Sequence, residues 1–271
     1  MIDTHAHLDF PDFDADRDAV VGRARDGGVF PILTIGTDLA GCRRALDLAF
    51  RFDGVYAGLG IHPNHSAGVP ETDWLAFESL FDDPELRPRI LAVGETGLDF
   101  YRDHSPRDVQ EGAFRRQIRL ARRHSLPVIV HCREAYARCA EVIEEEIGAG
   151  GPFAGVMHCF AGTADDARRC LAFGFRLSFA GPLTYKKNEP LREVARLAPL
   201  ESLLVETDCP FLPPEPHRGK RNEPLYTRLT AEALARVRGA RLEEIEAATD
   251  ANARALFRFP EPKPLRAEAA R

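Results

Sequence analysis

Short runs of β-branched and apolar residues alternate along the chain with longer, charge-rich stretches whose apolar positions recur at helical spacing. The runs predict strands over Met1–His5, Phe30–Ile35, Val55–Ile61, Ile90–Glu95, Val128–His131, Gly155–His158, Arg176–Phe179 and Leu203–Thr207. Between them, Asp108–His124 sets Val109, Ala113, Ile118, Leu120 and Ala121 on one stripe, with Arg115, Arg116, Arg119 and Arg122 mostly facing water. Arg133–Ile147, Asp165–Phe173 and Leu191–Ala198 read the same way. Eight strand–helix units with strand starts about 20–40 residues apart fit a (β/α)8 TIM barrel, an α/β architecture of ~250 residues. An open doubly wound sheet is the structural alternative, but the chain has neither a GxGxxG fingerprint nor a Walker loop.

Two further helices, Tyr226–Arg238 and Leu242–Leu256, follow the eighth strand, with stripes of Leu229, Ala233 and Val237 and of Ile245, Ala248 and Leu256. Pro260, Pro262 and Pro264 end helical pattern there. The expected division is one barrel domain over residues 1–258 and a loose tail over 259–271.

Composition narrows the class. At 44% hydrophobic and 29% charged over 271 residues, the chain falls among soluble globular domains and outside disordered or fibrous ones. A net charge of −6 excludes coating of nucleic acid by bulk charge and leaves room only for a local basic rim. The six cysteines contain no CxxC pair, no signal-like segment precedes Met1-Ile2-Asp3, and no apolar run approaches the ~18 residues of a membrane span. A cytoplasmic protein with reduced thiols, without membrane association or an obligate protein partner, is expected.

The chemistry collects at the strand ends. On the first strand, Asp3, His5 and His7 share one face because alternate side chains point the same way. Two imidazoles converging at the C-terminal mouth of a barrel suit a divalent transition metal. An HxH triplet alone is equally well explained as a hydrogen-bonded pair. The fourth, fifth, sixth and eighth runs, however, also end in Glu95, His131, His158 and Asp208, each with inward parity. Packing does not explain five strands doing this, since buried charges and imidazoles need a metal or a partner.

Six donors exceed the three protein ligands of one catalytic zinc and suffice for two ions if a carboxylate bridges them. Glu95, with two oxygens, is the expected bridge. The proposed division places His5, His7 and Asp208 on one ion and His131 and His158 on the other, with Asp208 also serving as general base. Mixed His and carboxylate ligation admits zinc, manganese or magnesium.

The segments DTHAHLD, GETGLDFYR, VIVHCREA, MHCFAGT, LVETDCPFLPP and Arg221-Asn222-Glu223-Pro224 together resemble the TatD-type metal-dependent hydrolases, within the amidohydrolase-like barrels. The resemblance runs from Met1 to about Phe257. It implies a (β/α)8 barrel, a divalent-metal site and hydrolysis of DNA phosphodiester bonds, often from a 3′ end. It also carries ligand roles onto His5, His7, Glu95, His131, His158 and Asp208. One departure is the loop after the third strand, which reads His62-Pro63-Asn64-His65 where the family usually has histidine-proline-histidine. His62 then remains a candidate phosphate contact, while His65 is displaced by one residue.

For DNA bound transiently and as a single strand, the rim should offer cations and stacking rings. Candidate substrate contacts are His62, Asp99, Tyr101, Arg102, Arg133, Arg218, Lys220, Arg221 and Asn222, with Lys186, Lys187, Phe100, Phe160, Tyr185 and Phe211 nearby. Glu206 has inward parity and is either a partner for a ligand histidine or a buried salt-bridge acid. Cys132, Cys159 and Cys209 point away from the metals by parity and are expected to pack. An amidohydrolase acting on an ester or amide, including an aminoacyl ester on tRNA, shares the same donor set. A non-enzymatic metal-binding barrel is the third reading, and the acid at the mouth argues against it.

Overall fold

The computed structural model describes residues 1–102 and 104–260. Its eight strands lie in chain order in one parallel sheet: β1 (Asp3–Ala6), β2 (Ile32–Gly36), β3 (Val55–Leu59), β4 (Ile90–Asp99), β5 (Val128–Arg133), β6 (Gly155–Met157), β7 (Arg176–Phe179) and β8 (Leu203–Val205). The crossovers hold α1 (Arg17–Asp26), α2 (Leu39–Arg51), α3 (Glu71–Asp82), α4 (Arg107–His124), α5 (Tyr136–Gly150), α6 (Ala164–Ala172) and α7 (Glu189–Leu197), and α8 (Thr227–Arg238) and α9 (Leu242–Phe257) follow β8. This is the (β/α)8 barrel expected from the pattern.

Inward-facing Leu33, Ile35, Leu91, Ile129, Val156 and Leu204 form one apolar cluster, plugged from below by Leu256, Phe257 and Phe259. Phe259, assigned above to the tail, is buried with its ring centroid 5.6 Å from Tyr56 and 5.8 Å from Phe257. The rest of the assigned tail, 261–271, lies outside the described residues. A larger cluster fills the layer between the strands and the surrounding helices.

Element ends differ from expectation where ladder bonds reach further than the apolar run. β4 continues past Glu95 because Thr96, Gly97, Leu98 and Asp99 pair with Val130, His131, Cys132 and Arg133 of β5. The register shifts between Val93 and Thr96, the stretch that holds Glu95. Gly97 has φ +142°, and a Cβ there would collide with the His131 carbonyl. Since β5 runs on to Arg133, α5 begins only at Tyr136.

The barrel closes between β1 and the segment after β8. One backbone bridge joins Ala6 to Cys209, with Asp208 N–H donating to His5 O at 2.9 Å and His7 N–H to Cys209 O at 2.8 Å. Below it, the Asp3 carboxylate accepts the Thr207 N–H at 3.0 Å and the Thr207 hydroxyl at 2.6 Å. Burial raises the Asp3 carboxyl to about 7 against those hydrogen bonds.

Candidate metal centre

His131 and His158 stand two residues beyond Ile129 and Val156 of the inward cluster, so strand parity delivers both to the mouth. His5, His7, Glu95, His158 and Asp208 are buried there and His131 is nearly so. His5 Nε2 lies 3.3 Å from His7 Nε2, 3.4 Å from Glu95 Oε2 and 3.7 Å from Asp208 Oδ1. His7 Nε2 lies 3.6 Å from the same Glu95 oxygen and 3.3 Å from the same Asp208 oxygen. Four donors around one ion at ~2.0–2.2 Å would stand about 3.3–3.6 Å apart in a tetrahedron. The spacing fits an ion.

The other Glu95 oxygen serves a second set. Oε1 is 2.7 Å from His131 Nδ1, 2.7 Å from His158 Nε2 and 3.4 Å from His62 Nε2, and the His131 and His158 nitrogens are 3.2 Å apart. Each carboxylate oxygen thus faces its own group of imidazoles. His62, read from sequence as a phosphate contact, turns inward to this second set and groups with Glu95 and His131. Its position at the end of β3, matching the other strand-end donors, was the available signal.

Two of the imidazoles, His7 and His131, are aimed by hydrogen bonds on the far side. His7 Nδ1 donates to Ile35 O at 3.0 Å, which leaves the Nε2 lone pair for the centre. His131 Nε2 faces Asp99 Oδ2 at 3.3 Å. Asp99 also accepts Asn64 Nδ2 at 3.0 Å and the Tyr101 and Arg102 N–H groups at 3.0 and 2.9 Å. Glu206 accepts the Cys159 N–H at 2.7 Å and sits 3.4 Å from His158 Nδ1, supporting the partner reading. The Nδ1 atoms of His5 and His158 are buried without hydrogen-bond partners, and the two rings stack at 4.1 Å.

Two residues that sequence reasoning missed lock this frame. Gln117, fully buried on α4, accepts the Ile61 N–H at 2.8 Å and donates to Ile61 O at 2.9 Å and Thr96 Oγ1 at 2.6 Å. Gln110, one heptad earlier, accepts the Asp99 N–H at 2.8 Å and donates to Asp99 O and Ser105 O. The signal was two glutamines at positions 110 and 117, aligned with Ala113, Phe114 and Ile118 on the apolar face.

Electrostatics agree with a cation site. Burial alone would raise Glu95, yet the charge on His158 and hydrogen bonds from His131 and His158 hold it well below the usual carboxylate range. Asp208 is likewise lowered against burial by His7, His5 and His158. Burial works to lower His7, but Asp208 and Glu95 carry it up to about 9. A carboxylate pair that holds protons on adjacent imidazoles favours a divalent ion in their place.

The rim is sparser than expected. Arg133 lies over the Tyr101 ring at 4.0 Å and Arg218 over Tyr185 at 4.3 Å. Arg102, Lys186, Lys187 and Lys220 are exposed, as is Phe211, edge-on to Phe10 beside His7. The structure does not bring Arg221 to the rim: its guanidinium forks onto Asp16 at 2.7 and 2.8 Å and covers Phe13. Asn222 is fully buried and spends its side chain on Thr207 O, Phe211 O and the Glu223 N–H. Asp99 braces His131 from a buried position rather than facing substrate. Phe160 belongs to the core, and His65 is exposed with Nδ1 on Thr37 O at 3.1 Å. All six cysteines are free thiols, and burial pushes Cys159 and Cys209 well up.

A parallel eight-stranded barrel with histidines and carboxylates gathered at its C-terminal mouth is the framework of a metal-dependent hydrolase. The chain belongs to the TatD-related DNase family, whose model, described as "TatD related DNase", matches residues 2–258. It is 41% identical to an uncharacterized metal-dependent hydrolase, YabD, of Bacillus subtilis, over 96% of this chain and 99% of that one. It is 38% identical to a protein of Pantoea vagans named 3'-5' ssDNA/RNA exonuclease TatD, over 96% of this chain and 100% of that one. Among solved structures, YJJV, a TatD homologue from Escherichia coli K12, superposes with a TM-score of 0.88 at 32% identity, covering 96% of this chain and 98% of its own. No helix among the described residues is long and apolar enough to cross a membrane.

Proposed function

We propose that this hydrolase is a deoxyribonuclease that shortens single-stranded DNA from its 3′ end and holds two divalent metal ions per chain. The observation that carries the proposal is the split of Glu95, whose Oε2 faces His5 and His7 while Oε1 faces His131 and His158. Asp208 completes the first set. When bound there, such ions lower the pKa of a coordinated water, hold a phosphoryl oxygen and offset charge that grows in the transition state.

The chain's own groups do the rest. Asp208, held ionised by its histidine neighbours, accepts the water's proton. His62 is pushed down to about 4 by burial and is neutral at physiological pH. Because its Nδ1 accepts the Asn64 N–H at 3.0 Å, its proton sits on Nε2, which faces Glu95 Oε1 at 3.4 Å beside the second donor set. Arg133 on Tyr101 and Arg218 on Tyr185 give two cationic posts for the backbone, and Phe211 gives an exposed ring for a terminal base. The net charge of −6 keeps the encounter transient. The Pantoea relative named as a 3'-5' ssDNA/RNA exonuclease supports the same substrate class.

The test is degradation of a 5′-labelled single-stranded oligonucleotide by protein that has been chelated and then reloaded, beside Asp208→Asn. A metal-dependent ladder shortening from the 3′ end, lost in the variant, is expected. Intact DNA with zinc, manganese and magnesium alike would refute the reading and move the assignment to ester or amide substrates.

A further inference from the structure

The opposite end of the barrel carries a pocket of about 510 Å3 that the chemistry at the mouth does not use. It lies where α4, α5 and α9 end and the chain enters β5, β6 and β7. Leu126, Phe153 and Leu256 form its apolar wall, and Arg122, Arg176 and Arg258 reach into it. Its size falls within the ~300–1,000 Å3 of small-molecule sites. No aspartate or glutamate lines it.

The charges around the pocket do not balance within the described residues. Helix C-termini favour cations, and Arg122 answers that demand by donating to the Glu146 and Gly151 carbonyls while pairing with the Glu146 carboxylate at 3.3 Å. Arg176 and Arg258 have no such partner: neither side chain forms an ion pair or hydrogen bond with the described residues. The Nε of Arg176 is buried and unpartnered, as is that of Arg122. A guanidinium cannot shed its proton, so the buried Arg176 Nε calls for an acceptor, which an anion in the pocket would supply beside the exposed Arg258. The planar fork fits the paired oxygens of phosphate and carboxylate.

We propose that this pocket binds an oxyanion, phosphate or carboxylate, free or carried by a small molecule. Arg176 and Arg258 hold the charge, and the site is separate from the metal centre at the far mouth.

The experiment is thermal unfolding of the full metal-loaded chain in rising inorganic phosphate, against sodium chloride of matched ionic strength. A saturable rise of at least about 2 °C is expected with phosphate alone. The rise should be lost in Arg176→Met and weakened in Arg258→Gln, with metal content unchanged in both. Because phosphate also has affinity for metal ions, the same titration on Asp208→Asn separates the sites, and the response should survive there. A nucleoside 5′-monophosphate that acts at lower concentration than phosphate would show that the pocket takes an organic body with the anion, and equal potency would assign the site to free phosphate. If Arg176→Met fails to fold, the weakened response of Arg258→Gln, at the exposed end of α9, carries the test. Equal shifts in phosphate and chloride, or a phosphate shift lost in Asp208→Asn and retained in Arg258→Gln, would overturn the proposal.

Discussion

Asp99→Asn keeps the shape of the side chain and one carbonyl oxygen, which can go on accepting the Tyr101 and Arg102 N–H groups at 3.0 and 2.9 Å. The other oxygen becomes an NH2 group set against Asn64 Nδ2 at 3.0 Å and His131 Nε2 at 3.3 Å, where only donors now meet. His131 can resolve the clash by moving its proton to Nδ1, the atom that stands 2.7 Å from Glu95 Oε1 and serves the second donor set. Loss of such a partner typically costs 10–100-fold in metal affinity, about 1.4–2.8 kcal/mol. His5, His7 and Asp208 have no bond to Asp99, so the first ion should bind as before. Calorimetric titration of the metal-free protein with zinc, with ion counts by mass spectrometry, reads both steps. One unchanged ion and one weakened ion are expected. Two ions bound within about twofold of wild type would refute the argument that the carboxylate sets the His131 tautomer.

Three further outcomes follow from the same contacts. Gln117→Leu orphans the buried N–H and C=O of Ile61 and should cost about 2–4 kcal/mol in urea unfolding, and a loss under about 1 kcal/mol would show that the clamp is dispensable. Arg133→Ala and Arg218→Ala should raise KM for an oligonucleotide several-fold, whereas Arg221→Ala, which loses its half-exposed Asp16 pair, a bond to Asp12 O and its cover over Phe13, should leave KM alone and cost about 1–2 kcal/mol of stability. Against burial, Arg119 and Arg122 hold the Glu146 carboxyl below its usual range, so its contribution is present above the unfolded pKa of ~4.3 and fades as pH falls through the folded value. The stability gap between wild type and Glu146→Gln should therefore close below about pH 4, and a gap constant from pH 7 to pH 3 would contradict that assignment.

The eight strands were legible because a barrel strand buried on both faces is a plain apolar run. The gathering of the candidate donors was legible because each run ended in a residue that such burial does not tolerate alone. Less visible was how side chains outside those runs spend their bonds. Arg221 and Asn222 follow β8 and carry the right chemistry for a rim, yet Asp16 and the turn carbonyls of Thr207 and Phe211 claim them. Asp16 lies some two hundred residues away, and no local pattern announces that pairing. Gln110 and Gln117 interrupt an apolar stripe and look like exposed positions until α4 is docked on the ends of β3 and β4. The register shift in β4 between Val93 and Thr96 has no counterpart in the pattern of the run.

The seam between β1 and β8 sets a schedule for the chain as it is made. His5 and His7 are made well before Asp208, which stands 3.3 Å from His7 and is separated from them by seven intervening strands and helices. Asp3 waits as long for Thr207. Until then the early histidines have neither the acid that completes their set nor the backbone bridge that fixes their strand, and metal capture becomes one of the last events of folding. A nascent or truncated chain cannot assemble this centre, which ties hydrolytic competence to a closed barrel.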